Sequence, residues 1–340
     1  MRTVIRKTLP LLLLGMGLVF PILSSAQQAN VLTARKAAAP PVMDGKAEAV
    51  WQALPALSFK AVGGRNFPSG ATEATMKAMH TGDTLYLLLQ YKDATESERR
   101  APWQKQADGS WKKLSDPEDK GGDNNLYYED KFAVIWDIDS PSFAKQGCMA
   151  ACHVGEGKPY GNKYVKEEGA RLDLWHWKGV RTGTVGQVDD QYVDATRYDK
   201  EKAPEAGRKS DPKTGGGYAD NLTEDKKGPK FALPGNQAAS PYWILEQEKQ
   251  PLDEAKYKPG DEVPGILVSA FTGDRGEISA RYSYQNGIRT MEIARKLVTG
   301  SEFDVQFNDL KKEYFFGVAL FDNAQVRHAF STGVFRLKFE

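Results

Sequence analysis

The chain has 340 residues, with 46 Lys and Arg against 45 Asp and Glu, so its formal net charge is +1. A charged fraction of 27% and a hydrophobic fraction of 40% exclude a wholly disordered chain. The balanced charge lacks the basic excess that marks a nucleic-acid binder. With 32 Gly and 18 Pro the sequence is rich in turns, which points to a β-rich fold. The length allows one large domain or two small ones.

In chain order, Arg2, Arg6 and Lys7 precede the apolar run Leu9 to Leu23, and Ser24-Ser25-Ala26 follows it. A basic start, a short apolar stretch and small residues before a cleavage point describe a secretory signal over residues 1–26. The run is 15 residues long and holds Pro10 and Pro21, too short for a membrane span of about 20 residues. Removing residues 1–26 leaves 314 residues with a net charge of −2. The remainder has no segment apolar enough to span a bilayer. These features predict an exported, soluble protein, with the bacterial periplasm as its compartment.

Residues 27–40 read as an exposed leader, and 41–340 as a single domain. A lone short helix is expected after Asp44, where Ala47-Glu48-Ala49-Val50-Trp51 are good helix formers. Ala74 to Tyr91 reads as two strands joined at Thr81-Gly82-Asp83. Lys131 to Ile138, Gly265 to Phe271 and Arg281 to Ile293 read as further strands, the last with the hairpin pair Asn286-Gly287. Tyr314 to Phe321 and Gly333 to Phe339 complete the series. Strands at both ends, without regular helical crossovers, predict an antiparallel β-sandwich. Two polar stretches, about 96–130 and 179–262, read as long insertions within that sandwich.

The chemistry concentrates at the two cysteines, Cys148 and Cys152, with His153 following the second. The string Cys148-Met149-Ala150-Ala151-Cys152-His153 admits a disulfide, a metal pair or covalent attachment of haem c. The usual haem signature is C-x-x-C-H, one residue shorter. On a helical turn, side chains at i and i+4 still share a face, so both thiols can reach one porphyrin edge. The adjacent His favours the haem reading: a disulfide has no need of it, and a structural zinc site would want a second Cys/His cluster. A second axial ligand would come from elsewhere. His80, beside the first hairpin turn, reads as a surface residue. His176, within Leu174-Trp175-His176-Trp177-Lys178, and His328, in a loop before the last strand, both remain candidates on composition alone.

Four passages resemble the haem-binding subunit family of ethylbenzene dehydrogenase and related type II dimethyl-sulfoxide-reductase-like enzymes. Pro41-Val42-Met43-Asp44-Gly45 with Trp51 is similar to the opening of that family and of family 9 carbohydrate-binding modules. Tyr128-Glu129-Asp130-Lys131 through Trp136, with Gly147 to His153, resembles its first ligand segment. Leu174 to Lys178 resembles its aromatic motif, and Phe316 to Leu337 its closing strand-loop-strand.

The resemblance implies an all-β sandwich related to family 9 modules, with long loops and a few short helices around one haem. In the enzyme subunits the haem is b-type, held by a Met of the first ligand segment and a Lys of the closing loop. Here the covalent motif with His153 stands in the first, and His328 stands about where the Lys would be. The expected protein is therefore a monohaem c-type cytochrome with bis-His iron ligation by His153 and His328. It would transfer single electrons to a periplasmic oxidoreductase or another cytochrome and would not itself be an enzyme. His176, Trp175 and Trp177 are expected to line the haem pocket. Two competing readings are a carbohydrate-binding module, with Trp103, Trp111, Trp175 and Trp177 stacking on sugars, and a haem protein with an open site that senses a small ligand.

Overall fold

A computed structural model describes residues 30–118, 124–151, 153 and 163–340. Thirteen strands form one continuous sheet. In chain order they are β1 Val31–Lys36, β2 Leu57–Val62, β3 Ala71–Thr81, β4 Thr84–Lys92 and β5 Lys131–Asp137. There follow β6 Leu172–Lys178, β7 Asp189–Val193, β8 Arg208–Ser210, β9 Ser279–Gln285 and β10 Ile288–Lys296. The last three are β11 Tyr314–Phe321, β12 Ala329–Ser331 and β13 Phe335–Phe339. The order is β8-β7-β6-β5-β11-β12-β2-β3-β4-β10-β9, and a branch through β13 and β1 links β11 to β3 a second time. Every pairing is antiparallel except those of β1, which runs parallel to both β13 and β3.

Period-two alternation folds this sheet into a sandwich. On one half, Met76, Leu89 and Met291 of β3, β4 and β10 form a cross-strand row. On the other half, Trp177, Phe132 and Leu320 form one row, and Trp175, Val134 and Val318 the next. These rows meet in a single buried core. Each large apolar side chain there stabilises the fold by about 1.5–3 kcal/mol. The all-β antiparallel architecture expected from the sequence is thus present. So are the hairpins at Thr81–Thr84 and Asn286-Gly287 and the short helix α1, Ala49–Gln52.

The expected exposed leader is corrected over β1, where Leu32 and Ala34 are fully buried. The residue composition hid this strand because it is only half apolar. The polar insertion 179–262 is also more than an excursion, since it supplies β7 and β8 to the main sheet. Asp189 of β7 stays inside because it is paired with Lys178 and Arg275. The two insertions join each other through the pairing of Glu262–Val263 with Trp103–Lys105. His80 is buried edge-on against Phe339 at 5.4 Å, so the surface role does not hold. The expected signal over 1–26 lies outside the described residues. Among the described residues, no helix is long and apolar enough to cross a membrane.

Candidate functional site

The outward face of β5, β6 and β11 carries the residues that alternate with the core rows. His176, Ala133 and Ala319 lie side by side, and Leu174, Ile135 and Gly317 form the next row. The small side chains of Ala133 and Ala319 leave room for a hollow of about 420 Å³ above the sheet. That is the size range of small-molecule and cofactor sites. Val193, Phe321 and Phe330 extend the apolar lining, and Lys163 and Arg208 stand among the lining residues too.

One wall follows β5. The helix α2, Pro141–Gln146, starts at Ser140, whose hydroxyl caps the Phe143 N–H at 3.3 Å, with Pro141 in the first turn. Phe143 is fully buried beneath it. Gly147 ends the helix at φ +59°, a left-handed turn that favours glycine. The chain then makes a tight turn over Gly147–Ala150, which brings Cys148 to the cavity. The His153 N–H donates to the Cys148 carbonyl at 3.1 Å, so the chain doubles back and carries the His153 ring to the same hollow. Cys152, expected as the second attachment point, lies outside the described residues.

The opposite wall is the connection between β11 and β12. It is braced against the segment that enters β5. Asp130 accepts the Asn323 N–H at 2.8 Å, and the Asn323 side chain accepts the Tyr128 N–H at 2.8 Å. The buried Lys131 ammonium donates to the Gln325 carbonyl at 2.8 Å and sits 4.1 Å from the centre of the Phe321 ring. These contacts hold His328 over the cavity. Its Nδ1 lies 3.0 Å from the Val326 carbonyl, which can only accept, so Nδ1 carries the proton and the Nε2 lone pair is left for the hollow.

Three imidazoles therefore share one pocket. The rings of His153 and His328 are 5.5 Å apart between centroids, at 64° to each other. His153 stacks on Phe330 at 4.4 Å, and His328 packs against Phe321 at 4.7 Å. Burial, with His153 as the nearest like group, pushes the His328 pKa down to about 3. Burial also lowers that of His153. His176 is 5% exposed, and neither ring nitrogen has a hydrogen-bond partner among the described residues. Burial, reinforced by the Lys178 and Lys131 cations, keeps its pKa well below the usual histidine range. All three are neutral near pH 7, the form in which imidazole binds metals.

The expectation that Trp175 and Trp177 line this pocket is corrected. They alternate with Leu174 and His176 along β6, so they point to the other side of the sheet. There Trp175 packs on Trp136 at 5.1 Å and Trp177 on Phe132 at 5.9 Å. Trp103, Trp175 and Trp177 are all buried, and Trp111 alone of the four proposed sugar platforms is half-exposed. Phe321, Lys163 and Arg208 also line the site. Phe321 could have been found from its alternation with Gly317 and Ala319 on β11, whereas Lys163 and Arg208 carried no motif.

A profile described as "Ethylbenzene dehydrogenase" matches residues 48–332. No curated protein matches the chain. Among solved structures it is similar to a family 9 carbohydrate-binding module from Caldicellulosiruptor kristjanssonii in complex with cellotriose. That match has 10% identity and a TM-score of 0.34, over 91% of this chain and 94% of that one. The same module with glucose gives 10% and 0.34, over 91% and 95%. A Bacteroides uniformis ATCC 8492 protein described as carbohydrate-binding gives 9% and 0.37, over 92% and 99%. The profile match takes in both braced walls of the cavity, from Tyr128 to His153 and from Ala319 to Ser331, and the chain belongs to the ethylbenzene dehydrogenase family.

Proposed function

We propose that the protein is an exported monohaem c-type cytochrome that passes single electrons to a periplasmic redox partner and does not itself turn over a substrate. The observation that carries this is the pair His153 and His328, brought together over one apolar hollow, with the His328 Nδ1–H committed to a backbone carbonyl. Metal-ligating histidines commonly make such a bond, which fixes the tautomer and aims the other nitrogen.

The residues present fit a haem. The neutral imidazoles of His153 and His328 would hold its iron, and the Cys148 thiol stands at the same cavity wall. Together with Cys152 it would form the thioether links. The aromatic and aliphatic lining suits a flat macrocycle and keeps water off it. Lys163 and Arg208 can meet its carboxylates. His176, buried with two unpartnered nitrogens, is a donor or acceptor for a bound group. When bound, haem supplies the one-electron iron couple, and the chain supplies ligation, a dry pocket and orientation. Two His ligands give a lower potential than a His/Met pair.

Acid-acetone extraction of the denatured protein tests the attachment. Haem is expected to stay with the polypeptide, and to leave it in the Cys148→Ala/Cys152→Ala double variant. Complete extraction from the wild type would reject the c-type reading. The reduced spectrum with and without carbon monoxide separates the remaining cases. No change with carbon monoxide marks a six-coordinate electron carrier. A shift marks an open site for a small ligand, and the absence of any haem band returns attention to carbohydrate binding.

A further inference from the structure

On the core side of β6, away from the cavity, four aspartates converge out of water. Asp173 of β6 and Asp190 of β7 are completely buried, and Asp304 and Asp211 are 3% exposed. Carboxylate oxygens of Asp173, Asp190 and Asp304 lie within 4.8 Å of one another. The Asp211 N–H donates to the Asp190 carbonyl at 3.2 Å, and the Asp211 carboxyl comes within hydrogen-bond reach of that of Asp304. Among the described residues, the cation that stands among them is the buried Arg295 of β10.

The hydrogen-bond account does not close. The Asp173 Oδ2 accepts the Val305 N–H at 3.0 Å and lies 3.6 Å from Arg295. The Asp304 Oδ2 accepts the Thr299 hydroxyl at 2.5 Å and lies 3.0 Å from Arg295. The Asp173 Oδ1, the Asp304 Oδ1 and both oxygens of Asp190 and of Asp211 have no donor among the described residues. Six buried carboxylate oxygens of this group are thus left without a donor, with one guanidinium to serve four acids. Unpaired buried charge is costly to a fold, and such groups are normally paired or ligate a metal.

We propose that Asp173, Asp190, Asp211 and Asp304 form a structural calcium site that fastens the β6-β7 edge to the connection between β10 and β11. The donor set is all oxygen, which suits a hard cation and excludes a zinc-type site. Calcium takes six to eight oxygen ligands and tolerates irregular geometry. Magnesium keeps several waters, for which a fully buried cluster has no place. One divalent cation offsets most of the charge that Arg295 leaves unbalanced. The site lies on the opposite face of β6 from His176, so it is independent of the haem reading.

The test uses the full exported protein, stripped with EGTA and dialysed, then titrated with CaCl2 by calorimetry and followed by thermal unfolding. One calcium per chain is expected, with a Tm that rises with the logarithm of calcium concentration. Asp190→Asn should abolish both responses, and Asp211→Asn should weaken binding at least tenfold, while the visible spectrum stays as in wild type. A stripped wild type that binds no calcium and has the same Tm in EGTA and in millimolar CaCl2 overturns the proposal, whatever the variants do. Equal binding of MgCl2 overturns it as well, and so does full calcium binding by folded Asp190→Asn.

Discussion

The thiol of Cys148 occupies the space that a side chain at position 317 would fill: a β-carbon on Gly317 would stand 2.6 Å from the Cys148 sulfur. Backbone of β11 and the turn after α2 are in contact there, and only glycine permits it.

Gly317→Ala should therefore displace Cys148 from the cavity wall. The expected result is a smaller fraction of covalently held haem after acid-acetone extraction, and a fold weakened by about 1–3 kcal/mol through overpacking. Covalent yield equal to wild type would show that Cys148 reaches its partner from another position.

His328→Ala removes an imidazole already oriented by Val326. A five-coordinate, high-spin haem that binds carbon monoxide is expected, with the thioether bonds intact. An unchanged low-spin spectrum would transfer the axial role to another residue, with His176 first in line because its nitrogens are unpartnered.

His176 and Trp177 are neighbours in sequence on opposite faces of β6, so their variants should fail in different ways. His176→Ala should shift the reduction potential and keep six-coordinate iron. Trp177→Ala should cost about 3–5 kcal/mol of stability in urea unfolding through the cavity it leaves, with little change in the spectrum. A large spectral change in folded Trp177→Ala would place that ring against the cofactor after all.

Acid titration should report the cluster around Arg289. Asp93, Asp130 and Asp322 share this one guanidinium, with Asp130 at 2.6 Å and Asp93 at 3.5 Å. Burial raises the Asp93 pKa to about 7, opposed by Arg289. The folded state therefore holds a proton that the unfolded chain releases near pH 4. Its stabilising effect is complete below that pH and is lost as pH rises towards 7. Asp93→Asn should flatten the stability profile between about pH 4 and 7, by at most about 4 kcal/mol. Parallel profiles for variant and wild type, measured by urea unfolding at fixed calcium, would show that Asp93 ionises normally.

Where the sequence alternated clearly, it was readable. Ala74 to Tyr91 read as two strands, which are β3 and β4, and the turn residues at 82 and 286-287 placed both hairpins. β7 was illegible because Asp189, Asp190 and Gln191 look like a loop until the buried partners of Asp189 are known. Lys178 and Arg275 come from elsewhere in the chain. The site was legible in part. His153 followed from the cysteine motif and His328 from the closing loop, and both stand in the cavity. The tryptophans were misplaced because aromatic character was read without the alternation that sends Trp175 and Trp177 to the core and Leu174 and His176 to the pocket. The buried acids gave no local signal at all, since Asp173 and Asp304 meet only through the tertiary fold.

The two walls of the cavity are far apart along the chain, with His153 and His328 separated by 175 positions. The parallel strand β1 adds another distant closure, because it pairs with β13. Contacts of such long range are slow to form, since loop closure must be offset before they contribute. The turn that carries Cys148 follows α2 directly and needs no such closure. A cofactor tethered there would already be in place when the distant wall arrives, and the order of assembly would follow: tether first, axial ligand from residue 328 last. The cofactor would then act as a template that draws the late strands onto the early ones, and apoprotein should refold more slowly than protein carrying the tethered group.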